Sequence, residues 1–158
     1  MDLQDVACPL RTQAMSNAKD ILMALTWNLA YSTGLEWQDN QHRELFERIN
    51  ALLDALGSSE GQSPIGEVVT FLEKYIIAHF GDEERWMIQY KLPCYRAHKA
   101  AHDGFIRSFG ELKAGMSQGA TPLTITIKLQ ELLTRWLIDH IGKADTAFAR
   151  ELAAATTA

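Results

Sequence analysis

From about residue 39 onward the chain repeats one pattern four times: an apolar stripe at helical spacing, closed by Gly, Pro or Ser punctuation. The first stripe carries Leu45, Ile49, Leu52, Leu53 and Leu56, with Asp39 as the expected N-cap and Gly57 as the stop. After the linker "GSSEGQS", Ser63 and Pro64 make a cap and first-turn pair. They open a second stripe, Ile65, Val68, Val69, Leu72, Ile76, Trp86 and Met87, which ends near Tyr90. Pro93 can start a helix but not continue one, and the third stripe follows it through Tyr95, Phe105, Ile106, Phe109, Leu112 and Met116. Beyond "SQGATP" the fourth runs from about Leu123 through Leu129, Leu132, Leu133, Trp136, Leu137, Ile141 and Phe148, then frays into "AAATTA". The one strand-like run, "LTITIK", continues into a helical stripe, which argues against a strand. The spacing therefore predicts an all-α fold, an antiparallel up-down four-helix bundle preceded by an N-terminal arm. The expected divisions are an extension over 1–25, with a short helix around Ala18 to Leu25, a bundle over 26–152, and a tail over 153–158. Trp27 and Trp37 are expected in an extended arm.

All five histidines fall on these stripes. His42 lies three positions before Leu45, His79 continues Leu72 and Ile76, His98 and His102 link Tyr95 to Phe105, and His140 follows Trp136 and Leu137. Glu83 and Asp145 share the inward faces. One core histidine is ordinarily satisfied by a local hydrogen bond. Seven ionisable groups together are different, because an unpaired buried carboxylate costs several kcal/mol or is forced to take a proton. The lysines and arginines lie mostly off the stripes, so a metal is the economical counter-charge. A step of four residues stacks side chains one turn apart, so His98 with His102 and His79 with Glu83 can each converge. The five-residue step from His140 to Asp145 would swing the two about 140° apart on an ideal helix. A locally widened turn is therefore predicted over residues 138–147.

Seven ligands exceed what one tetrahedral zinc takes, and nitrogen with oxygen but no thiolate suits iron or manganese. Two ions are indicated. If each prefers about six ligands, five histidines, two bridging carboxylates and one bridging oxide or hydroxide leave one of the positions open. An odd number of histidines makes the ions unequal, three on one and two on the other, with the opening on the histidine-poor ion. An opening deep in an apolar bundle favours a small, weakly polar ligand such as O2.

Charge and cysteine usage exclude other classes. The 15 Lys and Arg against 20 Asp and Glu leave a formal charge of -5, with no basic block to follow a phosphate backbone or an anionic bilayer. No apolar run reaches a membrane span, and the N-terminus lacks a leader pattern. Cys8 and Cys94 make neither a zinc-ligand spacing nor a disulfide framework. The expected location is cytoplasmic, with nucleic acid and membrane excluded as partners.

A lone histidine followed by HxxxE, HxxxH and HxxxxD, carried on "GLEWQDNQHRELFERIN", "HFGDEERWM", "HKAAH" and "WLIDHIGKAD", resembles the hemerythrin family, in particular its bacterial members. The resemblance covers about residues 26–148. It implies two iron ions, cycling between Fe2+ and Fe3+, joined by an oxo or hydroxo bridge, with O2 as ligand. His98, His102 and His140 would bind the filled iron, His42 and His79 the iron with the opening, and Glu83 and Asp145 would bridge them. Trp136 and Leu137 match positions beside the O2 pocket, where the leucine would shield bound O2; as sequence, both also read as ordinary core. No residue is assigned a catalytic role. The expected function is reversible dioxygen binding for transport, storage or delivery. The alternatives are a di-iron oxidoreductase acting on peroxide, O2 or nitric oxide, and an O2 or redox sensor. A sensor would need a separate partner, since 158 residues leave no room for an output domain. A protein partner for delivery or electron transfer stays open, and a monomer is favoured. Glu84 reads as a solvated charge or a hydrogen-bond acceptor behind the site, and Asp39 only weakly as orienting His42.

Overall fold

The structure, a computed structural model, describes residues 26–57 and 65–157. The extension over 1–25, its expected helix, Cys8 and the Ser63–Pro64 cap lie outside the described residues. Within them the chain is an antiparallel four-helix bundle with no strand. α1 is Glu36–Gly57. α2 spans 65–89 as Ile65–Tyr75, a π-helical segment Ile76–Phe80, and Gly81–Gln89. α3 is Tyr95–Ser117. α4 spans 122–157 as Pro122–Arg135, a longer π-helical segment Trp136–Asp145, and Thr146–Thr157. The "LTITIK" run is helical. The last helix holds through Thr157 rather than fraying at "AAATTA", because its buried face continues through Phe148, Ala149 and Leu152.

The "SQGATP" reversal shows how short the connections are. Gly119 takes φ +84, and the N–H groups of Gly119 and Ala120 donate to the carbonyls of Met116 and Gly115 at 3.2 and 3.0 Å. This double closure needs a residue free of Cβ strain at the left-handed position. Thr121 then caps α4 by accepting from the Thr124 N–H, with Pro122 in the first turn.

Two apolar layers fill the bundle. The larger contains Phe46, Ile49, Leu72, Phe105, Phe109, Leu129, Leu133 and Leu137. The smaller contains Met87, Leu92, Phe148 and Leu152. On α2, α3 and α4 the two layers flank one polar stretch that holds His79 and Glu83, His98 and His102, and His140 and Asp145 respectively. On α1, Gln38, Asp39 and His42 occupy the same level between Trp37 and Leu45. Ile106, expected in the core, is 42% exposed, since it lies one residue round the helix from the buried Phe105.

The arm differs from expectation in three ways. Leu29–Tyr31 form a 3-10 turn capped by the Asn28 side chain, so the arm is not simply extended. Trp37 lies inside α1. Asp39 is a first-turn residue, not the N-cap, and its carboxylate points back onto the arm. It accepts from the Ser32 hydroxyl at 2.6 Å, the Thr33 N–H and hydroxyl at 2.8 Å each, and the Gly34 N–H at 3.4 Å. It therefore ties the arm to α1 and does not orient His42. Beside it, Trp27 packs edge-on to Phe46 at 5.5 Å under the Arg43 guanidinium.

Burial by itself would raise the Asp39 pKa, but the bonds from Ser32, Thr33 and Gly34 outweigh it and hold the carboxyl below its ordinary value. Asp39→Ala is expected to cost about 2 kcal/mol in chemical denaturation, the scale of hydrogen bonds to a charged acceptor. Because the folded pKa is depressed, this contribution is fully present above the ordinary value of 3.8 and is lost as pH falls through the lower folded value. Wild type and variant should thus differ fully at neutral pH and converge in acid; a constant difference would assign Asp39 a role that does not depend on its charge.

Candidate metal centre

The polar layer brings together all seven residues singled out by spacing. α1 supplies His42, α2 His79 and Glu83, α3 His98 and His102, and α4 His140 and Asp145; every one is buried, none more than 4% exposed. Their ligand atoms fall into two groups, Glu83 with His98, His102 and His140, and His42 with His79, Glu83 and Asp145. Each carboxylate straddles the division. Glu83 places Oε1 3.3 Å from His79 Nε2, and Oε2 3.0 Å from the Nε2 atoms of both His98 and His102. Asp145 places Oδ2 3.1 Å from His42 Nε2, and Oδ1 3.1 and 3.3 Å from His140 and His98 Nε2. The three-and-two partition of imidazoles is thus a property of the packed helices.

The five-residue step of α4 is accommodated as its spacing requires. Residues Trp136–Asp145 form a π-helix, in which hydrogen bonds run from i to i+5, so His140 and Asp145 rise on one face. A second π segment, Ile76–Phe80, leads into Gly81 on α2. It was not legible in the sequence, because HxxxE is compatible with an unbroken α-helix. Insertion of the extra residue leaves Ile77 78% exposed while His79 and Phe80 are buried.

The donor set fits a pair of cations. Both Asp145 oxygens and the Nε2 atoms of His102 and His140 are buried without a hydrogen-bond partner among the described residues. His42 and His79 Nε2 face each other at 3.2 Å. Acceptor atoms crowd together here with fewer hydrogen bonds than they can take, as expected where ions supply the missing partner. Titration behaviour agrees. Burial lowers His79 to about 4, so its ring is neutral and able to coordinate. Burial and the neighbouring Asp145 push Glu83 upward, but His79, His102 and His98 outweigh them and bring it to about 2. Asp145 is likewise held well below its ordinary value, by His140, His42 and His98 against the effect of burial. Both carboxylates are therefore anionic at neutral pH.

A second ring of contacts orients the imidazoles. Gln41 Oε1 accepts from His79 Nδ1 at 2.7 Å, and its amide nitrogen donates to Asp82 at 3.4 Å. Glu84 Oε1 accepts from His102 Nδ1 at 2.9 Å and meets Lys99 at 3.7 Å. Glu84 therefore serves as the acceptor behind the site rather than as a freely solvated charge. With Nδ1 protonated, each Nε2 lone pair faces inward. Gln38 donates its amide to Glu83 Oε1. Gln38 and Gln41 went unnoticed in the sequence, although Gln38, four before His42, shares that histidine's helical face. Aromatic rings close the walls: Phe80 stacks on His102 at 3.9 Å, Trp136 on His140 at 3.7 Å, and Tyr75 on His79 at 4.6 Å. Trp136 thus lies face-on to the histidine-rich half, and Leu137 is fully buried one residue on. Burial, then Asp145 and Glu83, raise the Tyr75 phenol well above its ordinary value. Cys94, before α3, has its thiol pushed up to about 12 by burial and by Glu151, so it is an unreactive thiol.

A family model described as "Hemerythrin HHE cation binding domain" matches residues 33–152. Bacteriohemerythrin of Pseudomonas paraeruginosa is 36% identical over 124 residues, covering 78% of each chain. Bacteriohemerythrin of Stenotrophomonas maltophilia is 32% identical over 130 residues, covering 82% of each. Hemerythrin of Siphonosoma cumanense is 29% identical over 126 residues, 80% of this chain and 92% of that one. No solved structure gives a significant match.

Two outcomes test the centre. Glu84→Ala is expected to keep the fold and weaken metal retention about 10- to 100-fold in chelator competition, the usual cost of losing a partner behind a ligand. Unchanged retention would show that Glu84 does not orient His102. With no metal bound, burial lowers His98 but Asp145 and Glu83 outweigh it and raise it to about 9, so it carries a proton at neutral pH. Coordination must displace that proton, so apparent metal affinity should rise with pH until about 9 and then level off. A pH-independent affinity would mean that His98 does not coordinate.

Proposed function

The chain belongs to the hemerythrin family, whose shared unit is a non-haem di-iron domain that binds dioxygen, and on that premise we propose that it binds O2 reversibly for transport, storage or delivery. The observation that carries the proposal is the three-and-two partition of five imidazoles around two straddling carboxylates. His98, His102 and His140 are assigned to one iron, His42 and His79 to the other, with Glu83 and Asp145 between them. Held there, two irons would supply the electrons and a coordination position for dioxygen.

The chain's own residues make such binding selective and reversible. Gln41 and Glu84 hold protons on the outer nitrogens of His79 and His102, which fixes the tautomer. Glu83 and Asp145 offset the cationic charge, and the amide of Gln38 holds Glu83 in place. Phe80, Met87, Leu137 and Ile141 are all buried about the polar layer and exclude water from it. Leu137, three residues before His140, is assigned as the gate over the ligand pocket, with Trp136 beside it. A cytoplasmic location belongs to the same reading. It is supported by the sparse cysteines, two in the whole sequence, and by a net charge of -5 with no basic block.

Anaerobic loading with iron, admission of air and its removal should produce a visible absorption band that appears and then disappears. A change that does not reverse and is accompanied by peroxide turnover would identify an enzyme instead. His79→Ala and Glu83→Ala are expected to lose one or both irons and all O2 binding. Leu137→Ala should retain iron and autoxidise faster; an autoxidation rate equal to wild type would remove the gate.

A further inference from the structure

Tyr75 lies one turn before His79 on α2, where the π segment Ile76–Phe80 begins. Its ring stacks on the His79 imidazole with centroids 4.6 Å apart and planes 23° apart. The residue is 5% exposed, and its hydroxyl proton has no acceptor among the described residues. The Trp136 indole N–H, 7% exposed, has no partner among the described residues other than this hydroxyl. The indole N–H lies where it can donate a hydrogen bond to the phenol oxygen, which opposes the upward push of burial on the phenol. If the indole N–H donates to the phenol oxygen, the phenol proton still lacks an acceptor. An unmet buried donor costs about 1–3 kcal/mol, so a tyrosine here needs a reason that phenylalanine would not satisfy.

The location supplies one. Tyr75 flanks His79, which belongs to the histidine-poor group, where the opening is assigned. A cleft of about 250 Å³ between α1 and α2 is lined by Gln41, Lys74, Tyr75, Ala78 and His79, so it abuts the same two rings. A phenol is protonated at neutral pH and is a donor there.

We propose that the Tyr75 hydroxyl, beside the Trp136 indole N–H, is a ligand-facing hydrogen-bond donor that makes the open position favour small ligands bearing an acceptor atom, anions such as azide included. This rests on the di-iron reading. It assigns Tyr75 a role in ligand choice that spacing alone did not suggest, since a tyrosine four residues before a histidine reads as core.

The test uses iron-loaded, oxidised protein with azide as probe. Tyr75→Phe removes only the hydroxyl. It is expected to keep two irons per chain and an unfolding midpoint equal to or above wild type, while azide binds about tenfold more weakly. Azide affinity within twofold of wild type overturns the proposal, as does a lower midpoint without loss of azide affinity, which would make the hydroxyl structural. Should Tyr75→Phe lose iron, 3-fluorotyrosine placed at position 75 decides. Its more acidic hydroxyl donates more strongly, so azide should bind more tightly than in wild type, and equal or weaker binding overturns the proposal. Wild type that holds two irons yet binds no azide would instead overturn the open position, and the di-iron reading with it.

Discussion

Two carboxylates sealed from water set the terms for the rest of this molecule. Glu83 and Asp145 are fully buried and anionic, and within about 3.3 Å they meet imidazole nitrogens rather than lysine or arginine. Isolated charges in such a place would protonate or pull water inward. Their oxygens are divided between two groups of histidines, which places the negative charge where two cations would use it. The proposed di-iron site is thus as much a condition for this core as a cargo within it. The layers on either side are apolar and could pack on their own terms, whereas the layer between them cannot.

That arrangement gives the helices two tasks. Above and below the polar layer, ordinary helical stripes interlock and supply the hydrophobic stabilisation. At the polar layer, α2 and α4 depart from α geometry, and in both the departure falls at the candidate ligands. A π segment sacrifices regular hydrogen bonding to turn a side chain, and such segments persist where a site needs the new direction. Stacked rings of Phe80, Trp136 and Tyr75 then hold the imidazoles side-on. They leave the Nε2 edges as the polar surface facing inward.

Around this centre the chain distributes control to residues that are not candidate ligands. Gln41 and Glu84 act on proton position, Gln38 on carboxylate orientation, and Asp39 on the arm that packs Trp27 beside His42. Asp39 and Gln38 are neighbours on α1, yet one faces the arm and the other the polar layer. The 100° turn per residue separates a structural carboxylate from a site amide. The same geometry separates Glu83 from Glu84, one inside the layer and the other behind it.

The helical class, the four stripes, the seven candidate ligands and the widened turn at His140 and Asp145 were legible in the sequence. Each is a matter of spacing along one helix, and spacing is a local property. The hidden features were those in which one helix meets another or the backbone departs from its period. The π segment at Ile76–Phe80 left no trace, because HxxxE converges on a regular helix as well. Asp39 looked like a cap because caps and tertiary acceptors use the same side chain, and only the folded arm distinguishes them. Glu84, Gln41 and Tyr75 have partners or surroundings supplied by other helices, and no periodicity reports those. Residue type and period determined what could converge; packing between helices decided which atoms face one another.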